Sequence, residues 1–171
     1  ITREIGNRRG EGSILNNLGA AYADLGQYQN AITLYEQSLV IAREISDRRG
    51  EGSILNNLGV TYRNLGQYQE ATELYEQSLV ITREISDRRG EGNALGNLGT
   101  AYRHLGQYQE AVVLYEQQLV ITREIGDRQS EGAALGNLGI AYRSLEHLEQ
   151  ALDSYQQALI IAQEIGDRSR E

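Results

Sequence analysis

A forty-residue period runs through this chain of 171 residues and constrains its fold more than any other feature. Residues 51–90 read EGSILNNLGVTYRNLGQYQEATELYEQSLVITREISDRRG, and the pattern recurs at 11–50, 91–130 and 131–170. The first copy differs from the second at eight of forty positions. Such an array has no single globular core. Each unit buries its apolar face against its neighbours, and several units are needed for stability. The segment 1–9, ITREIGNRR, aligns with 81–89, ITREISDRR. The expected organisation is therefore the tail of a truncated preceding repeat at 1–9, then repeats at 10–50, 51–90, 91–130 and 131–171, the last carrying the start of another linker.

Each copy reads as two helices. In the second copy the first helix runs from about Asp47 to Leu65. Asp47 is an N-cap candidate, able to accept from a backbone N–H of the first turn. Glu51 adds negative charge near the positive helix end. Gly50 and Gly52 weaken that turn by roughly 1 kcal/mol each. Gly66 ends the helix, because a residue there needs positive φ. Gly26 and Gly106 share its column, but the fourth copy has Glu146, where a strained or rearranged turn is expected. The second helix runs from about Tyr68 to Ile85, with Ala71, Leu74, Tyr75, Leu79 and Ile81 or Thr82 near helical spacing. Two helices joined by so tight a turn must lie antiparallel against each other.

The residues Leu55, Leu58, Gly59, Tyr62, Ala71, Tyr75 and Ser78 form a signature that closely resembles the tetratricopeptide repeat. That family usually has an aromatic residue where Leu55 stands. It usually has proline where this chain has Arg43, Arg83, Arg123 and Gln163. Without the proline the second helix can run on, and the period lengthens from about 34 residues to the forty seen here. The long run is similar to the repeats of Pins/LGN-type spindle-orientation adaptors and, more loosely, of kinesin light chains. The resemblance implies an all-α fold, a right-handed α-solenoid of antiparallel helix hairpins, with the first helices lining a concave wall. It also implies a binding scaffold.

On a helical wheel Leu55, Leu58, Gly59 and Tyr62 share one side, the core. Gly59 is expected to let the partner helix approach, with Tyr62 filling the space beside it. Ser53, Asn57, Val60 and Asn64 lie opposite and would face the groove. One groove column is constant: Asn17, Asn57, Asn97 and Asn137. A column at the groove's edge holds Ala23, Arg63, Arg103 and Arg143. Two others vary, one with Asp24, Asn64, His104 and Ser144, the other with Ala20, Val60, Thr100 and Ile140. An asparagine carboxamide donates and accepts, so a column of them could hold a peptide backbone without reading its side chains. The same residues could instead bond a neighbouring helix and fix the stacking of repeats. The arginine column could pair with carboxylates of a partner, or stand solvated in weak surface pairs.

The remaining composition narrows the function. The chain has no Cys, Pro, Met, Trp, Phe or Lys, and 16 Arg stand against 24 Asp and Glu. Without cysteine there is no disulfide framework or thiolate chemistry. A net charge of −8 argues against nucleic acid. No apolar run approaches the roughly 20 residues of a membrane span. No secretory leader is expected, since the opening residues match the end of a repeat. Together these fit the cytoplasm. The Gly90, Gly92, Gly96 spacing follows no strand, and the third glycine is Asn16 or Asn56 in other copies, which disfavours a nucleotide site. His104 and His147 have no partner at metal-ligand spacing. The recurrent glutamates read as solvated faces. No cofactor and no catalysis are expected. The expected function is a non-enzymatic scaffold that binds a protein or peptide, an acidic one if the arginines contribute, in the concave groove. The alternative is a structural segment that stacks on its own copies through ends lacking polar caps.

Overall fold

A computed structural model describes the backbone of residues 2–168 and the side chains of residues 6–166. All regular structure among the described residues is helical. The elements are α1 (Thr2–Asp24), α2 (Tyr28–Glu44), α3 (Arg48–Asn64), α4 (Tyr68–Glu84), α5 (Arg88–His104), α6 (Tyr108–Glu124), α7 (Arg128–Ser144) and α8 (Leu148–Arg168). They fall into two compact units, Ile1–Asp87 and Arg88–Glu171. In the first unit α1 pairs with α2, α3 pairs with α4, and α2 packs on α3. In the second α5 pairs with α6, α7 with α8, and α6 packs on α7. Each unit is thus a pair of stacked helix hairpins.

The period is built from helices of 17 residues, such as α3 and α4, separated by three-residue turns. The side chain of Asp47 caps α3 by accepting from the Gly50 N–H at 3.0 Å. Asp127 caps α7 in the same way through Ser130, at 3.1 Å. The turn inside the hairpin is left-handed at Gly26, Gly66 and Gly106, with φ of 73°, 78° and 78°. Glu146 keeps this geometry, at φ 61°. The bonds that close the helix end are also kept: Glu146 N–H to the Arg143 carbonyl at 3.1 Å and His147 N–H to that of Tyr142 at 2.9 Å. Of the strained or rearranged turn expected, strain is what occurs: the turn is kept with a side chain at positive φ. Two closing bonds outweigh the ~1–2 kcal/mol that a side chain costs in this conformation. The turn between hairpins is left-handed too, at Ser46, Ser86 and Gly126. The helices α1 and α8 run unbroken through Gly6 and Gly166, which stand in that same column.

The core of the first unit gathers Leu55 and Leu58 with Ile54, Ala31, Tyr35 and Leu39. Gly59 opens the expected close approach, but a different ring fills it. A Cβ at Gly59 would stand 2.5 Å from Tyr75 Cε1. Tyr75 comes from the second helix of the same hairpin and is fully buried, while Tyr62 packs at the core's edge, half-buried. Gly99 receives Tyr115 in the second unit in the same manner. Burying one such ring contributes roughly 1.5–3 kcal/mol.

In α3, α5 and α7 the glutamate of the first turn is not the solvated group the sequence suggests, whereas Glu11 in the same column of α1 is exposed. Glu51 and Glu131 are 7% and 4% exposed. Arg43 Nε donates to Glu51 at 2.8 Å and Arg48 Nη1 donates at 2.5 Å. Arg123 and Arg128 hold Glu131 at 2.8 and 2.5 Å. Arg48 also bonds Glu84, and Arg128 bonds Glu164. Arg43 and Arg123 occupy the column where the resembling family has proline. A long side chain there clasps one hairpin to the next, which a proline ring could not do. Burial alone raises the Glu51 carboxyl, but the two guanidinium bonds outweigh it and hold its pKa below the ordinary range.

Candidate functional site on the first-helix face

In the first unit α1 and α3 lie side by side above α2, and the residues opposite the core line the groove between them. Ser53 and Asn64 are exposed, while Asn57 and Val60 are half-buried. The Asn57 carboxamide N–H donates to Asn16 Oδ1 on the neighbouring first helix at 3.1 Å. This bridge crosses the groove and separates two recesses. One, of about 340 Å³, is lined by residues including Asn16, Asn17, Ser38, Ile41 and Ser53. The other, of about 200 Å³, is lined by Ala20, Ala23, Asp24, Tyr35, Asn57, Val60, Thr61 and Asn64. Tyr35 forms the floor of the second recess, its phenol pKa raised by burial and by the charge of Asp24. Ser38 anchors α2 to α1 by donating to the Gly12 carbonyl at 2.8 Å.

The second unit has the same backbone plan and different polar contacts. Asn97 and Asn137 are half-buried on α5 and α7. The column of Asn16 holds Gly96, and the column of Ser38 holds Gln118. The Gln118 carboxamide occupies the space that a Gly96 side chain would need. It is 8% exposed, and its Oε1 has no hydrogen-bond partner. Tyr115 donates its hydroxyl to Thr100 Oγ1 at 3.1 Å. The corresponding Tyr75 in the first unit has Val60 in the Thr100 column, and its hydroxyl is buried without a partner. Burial pushes the Tyr75 phenol up to about 12, against the opposing charge of Arg63.

The arginine column sits in the last turn of the first helices. Arg63 and Arg103 are half-buried and Arg143 is exposed. Arg103 Nε is buried with no partner, and Arg103 Nη2 lies 3.4 Å from His104 Nε2. The first unit therefore carries Asn17, Asn57, Arg63 and Asn64. The second carries Asn97, Arg103, His104, Asn137 and Arg143. These are carboxamides, guanidinium groups and one imidazole, a chemistry of hydrogen bonding and charge pairing. Among the described residues no group of three or more His, Cys, Asp or Glu side chains is placed to hold a metal ion. Among the same residues no helix is long and apolar enough to cross a membrane. Sequence reasoning missed Asn16, Tyr35 and Ser38 as groove-lining residues. One signal was present: the Asn16 and Ser38 columns change together, to Gly96 and Gln118.

Comparison with known proteins agrees with this architecture. The family model of the tetratricopeptide repeat matches residues 11–84 and 90–164. The chain is similar in structure to BtubC (BKLC) from P. vanneervenii, with a TM-score of 0.84 at 21% identity, covering 91% of this chain and 64% of that one. It is similar to aspartyl phosphate phosphatase F from Bacillus subtilis, with a TM-score of 0.88 at 16% identity, covering 94% and 42%. It is also similar to the nearly identical repeats of a putative kinesin light chain from Podosopora anserina, with a TM-score of 0.75 at 28% identity, covering 91% and 76%. The chain thus spans less than two thirds of the length of the first two. Comparison with curated protein sequences gives no match.

Proposed function

Because the chain belongs to the tetratricopeptide repeat family, we propose that it is a non-enzymatic protein-interaction scaffold that takes a peptide or helical segment of a partner protein along its first-helix face. The observation that carries this reading is the recess over Tyr35. It is open, polar at Asn57 and Asn64 and apolar at Ala20 and Val60, and it joins the constant Asn57 and Tyr35 columns to the varying columns of Ala20, Ala23 and Asp24. The constant asparagine offers the same backbone contact in each copy, and the varying columns supply selectivity. Asn57 uses one N–H on Asn16 and has a second N–H and further acceptor capacity to offer a peptide amide. Arg63, Arg103 and Arg143 bring positive charge to an acidic chain and favour partner carboxylates. The fit is with soluble protein partners in the cytoplasm rather than with nucleic acid or lipid.

The test is selection from an unbiased peptide library on the chain and on the Asn57→Ala/Asn97→Ala variant. Peptides sharing a motif should be recovered by the first and lost by the second, with melting nearly unchanged. Selection on Asn16→Ala separates recognition from stacking, since it removes the bridge but leaves Asn57. If no motif is enriched, or if Asn16→Ala loses the same peptides, the groove reading fails.

A second reading is stacking on further copies. Ile14 is 68% exposed on α1, whereas Ile54 in the same column is 5% exposed. Leu152 on α8 is 59% exposed, whereas Val112 in its column is 3% exposed. These faces match those that meet another hairpin inside each unit. Sedimentation should show mass rising with concentration, and Ile14→Glu should suppress the rise. A monomer at every concentration removes this reading.

A further inference from the structure

The second unit holds a cavity of about 410 Å³ on its second-helix side, between α6 and α8 and above α7. It is unrelated to the first-helix groove. Its origin is visible in one column. Leu34, Leu74 and Leu114 stand where the fourth copy has Ser154. In the first unit Leu74 packs against the core. Ser154 is too short to fill the same space and turns its hydroxyl to the Gln150 carbonyl at 2.7 Å. The floor that remains is apolar: Leu119, Leu135 and Leu138.

The lining is otherwise acidic, with the carboxylates of Glu116, Glu149 and Asp153 against one guanidinium, Arg123. That guanidinium is already engaged, with Nε on Glu131 at 2.8 Å and Nη2 on Gln157 Oε1 at 3.2 Å. Gln157 in turn donates to Asp153 at 2.7 Å. The Tyr142 hydroxyl donates to Glu116 Oε1 at 2.7 Å and fixes that carboxylate at the cavity's edge. An anion would be repelled here. A purely apolar occupant would strip water from carboxylates without replacing it, which is costly. A cation on an aliphatic stem answers both parts of the lining: methylenes on the leucines and charge-assisted hydrogen bonds at the rim.

We propose that this cavity is a second docking site, which takes one arginine or lysine side chain of a partner polypeptide, its stem on Leu119, Leu135 and Leu138 and its charge among Glu116, Glu149 and Asp153. The site belongs to the fourth copy alone in its column, so it gives an otherwise repetitive surface one distinct position. None of its lining residues belongs to the first-helix recesses, so a partner held there contacts different side chains.

The test uses the whole chain and N-butylguanidinium as the probe, followed by amide chemical shifts. The expected result is a saturable shift at residues of α6, α7 and α8, with n-butyramide at least about tenfold weaker. Ser154→Leu restores the residue of the other three copies and leaves the net charge unchanged. It should weaken the probe roughly tenfold or more while the protein melts at the same temperature or higher. Glu116→Gln should weaken it several-fold. Absence of a saturable shift, equal affinity for n-butyramide, or unchanged affinity in either variant overturns the proposal.

Discussion

The two units share a backbone plan and a core, yet they solve the same contacts with different side chains. In the first, Asn16 bridges to Asn57 and Ser38 bonds a helix carbonyl. In the second, Gly96 and Gln118 replace that arrangement with a long carboxamide lying where no side chain projects. In the first, the Tyr75 hydroxyl is stranded, whereas in the second Thr100 receives that of Tyr115. The first exchange is a spatial pair, whereas in the second Val60 gives way to Thr100 against an unchanged tyrosine. The difference shows that a change of bulk between helices is matched in the partner column, whereas a change of polarity leaves a hydroxyl with or without a partner. What both units keep without variation is the glycine–tyrosine contact and the arginine–glutamate clasp.

The largest effects should come from the shared core. Leu58→Ala should cost toward the upper part of about 2–5 kcal/mol, because Leu58 belongs to a core against which Leu74 packs. Leu138→Ala should fall toward the lower part, because Leu138 already borders the cavity opened by Ser154. Urea denaturation of the two variants measures both, and equal losses would erase this distinction between the units. Next comes the clasp, where the units should behave alike. Glu51→Gln and Glu131→Gln should each cost about 1.5–3 kcal/mol. Both carboxyls have folded pKa values below the ordinary 4.5. Their stabilisation is therefore complete above that value and lost as pH falls through the lowered folded values. Acid titration of the melting temperature should show a decline below the ordinary carboxylate range, and a shallower one in either Gln variant.

A smaller effect tests the pairing of columns. Gly96→Asn alone should overpack against Gln118 and cost about 1–3 kcal/mol. Combined with Gln118→Ser, which installs the first unit's pair in the second, much of the loss should return. A coupling under about 0.5 kcal/mol in the double-mutant cycle would mean that the columns are independent. The smallest expected change is Val60→Thr, which offers Tyr75 the acceptor that Tyr115 already has. It should gain about 1 kcal/mol, and Thr100→Val should lose a similar amount, both read from melting curves.

The hairpins were legible because their signals are local and redundant. Asp47, Gly66 and the apolar spacing each mark the same boundaries, and α3 and α4 lie within a residue of them. Other features depend on contacts that one repeat does not reveal. The left-handed turn at Ser46 and Ser86 carries no signal in serine itself. The glycines of the same column, Gly6, Gly126 and Gly166, are the sequence's hint of it, and of these Gly126 takes the left-handed turn. Glu51 looked solvated because its two arginine partners lie in different helices, one of them in the preceding hairpin. The groove asparagines could be placed on a face from sequence, but the bridge to Asn16 could not. It joins residues 41 apart along the chain and depends on the rotation between neighbouring hairpins.

The clasp has a consequence for how such a chain can change in length. Arg48 reaches Glu84 across 36 residues, and Arg43 reaches Glu51 across eight. Both spans are shorter than the forty-residue period. An unequal exchange that inserts or removes one whole period leaves every such bond with a partner of the same kind. A one-residue insertion inside either span puts the bonds that cross it out of register. Copy number can therefore change by whole periods without unpairing a clasp, which makes it a trait separate from the composition of any one copy.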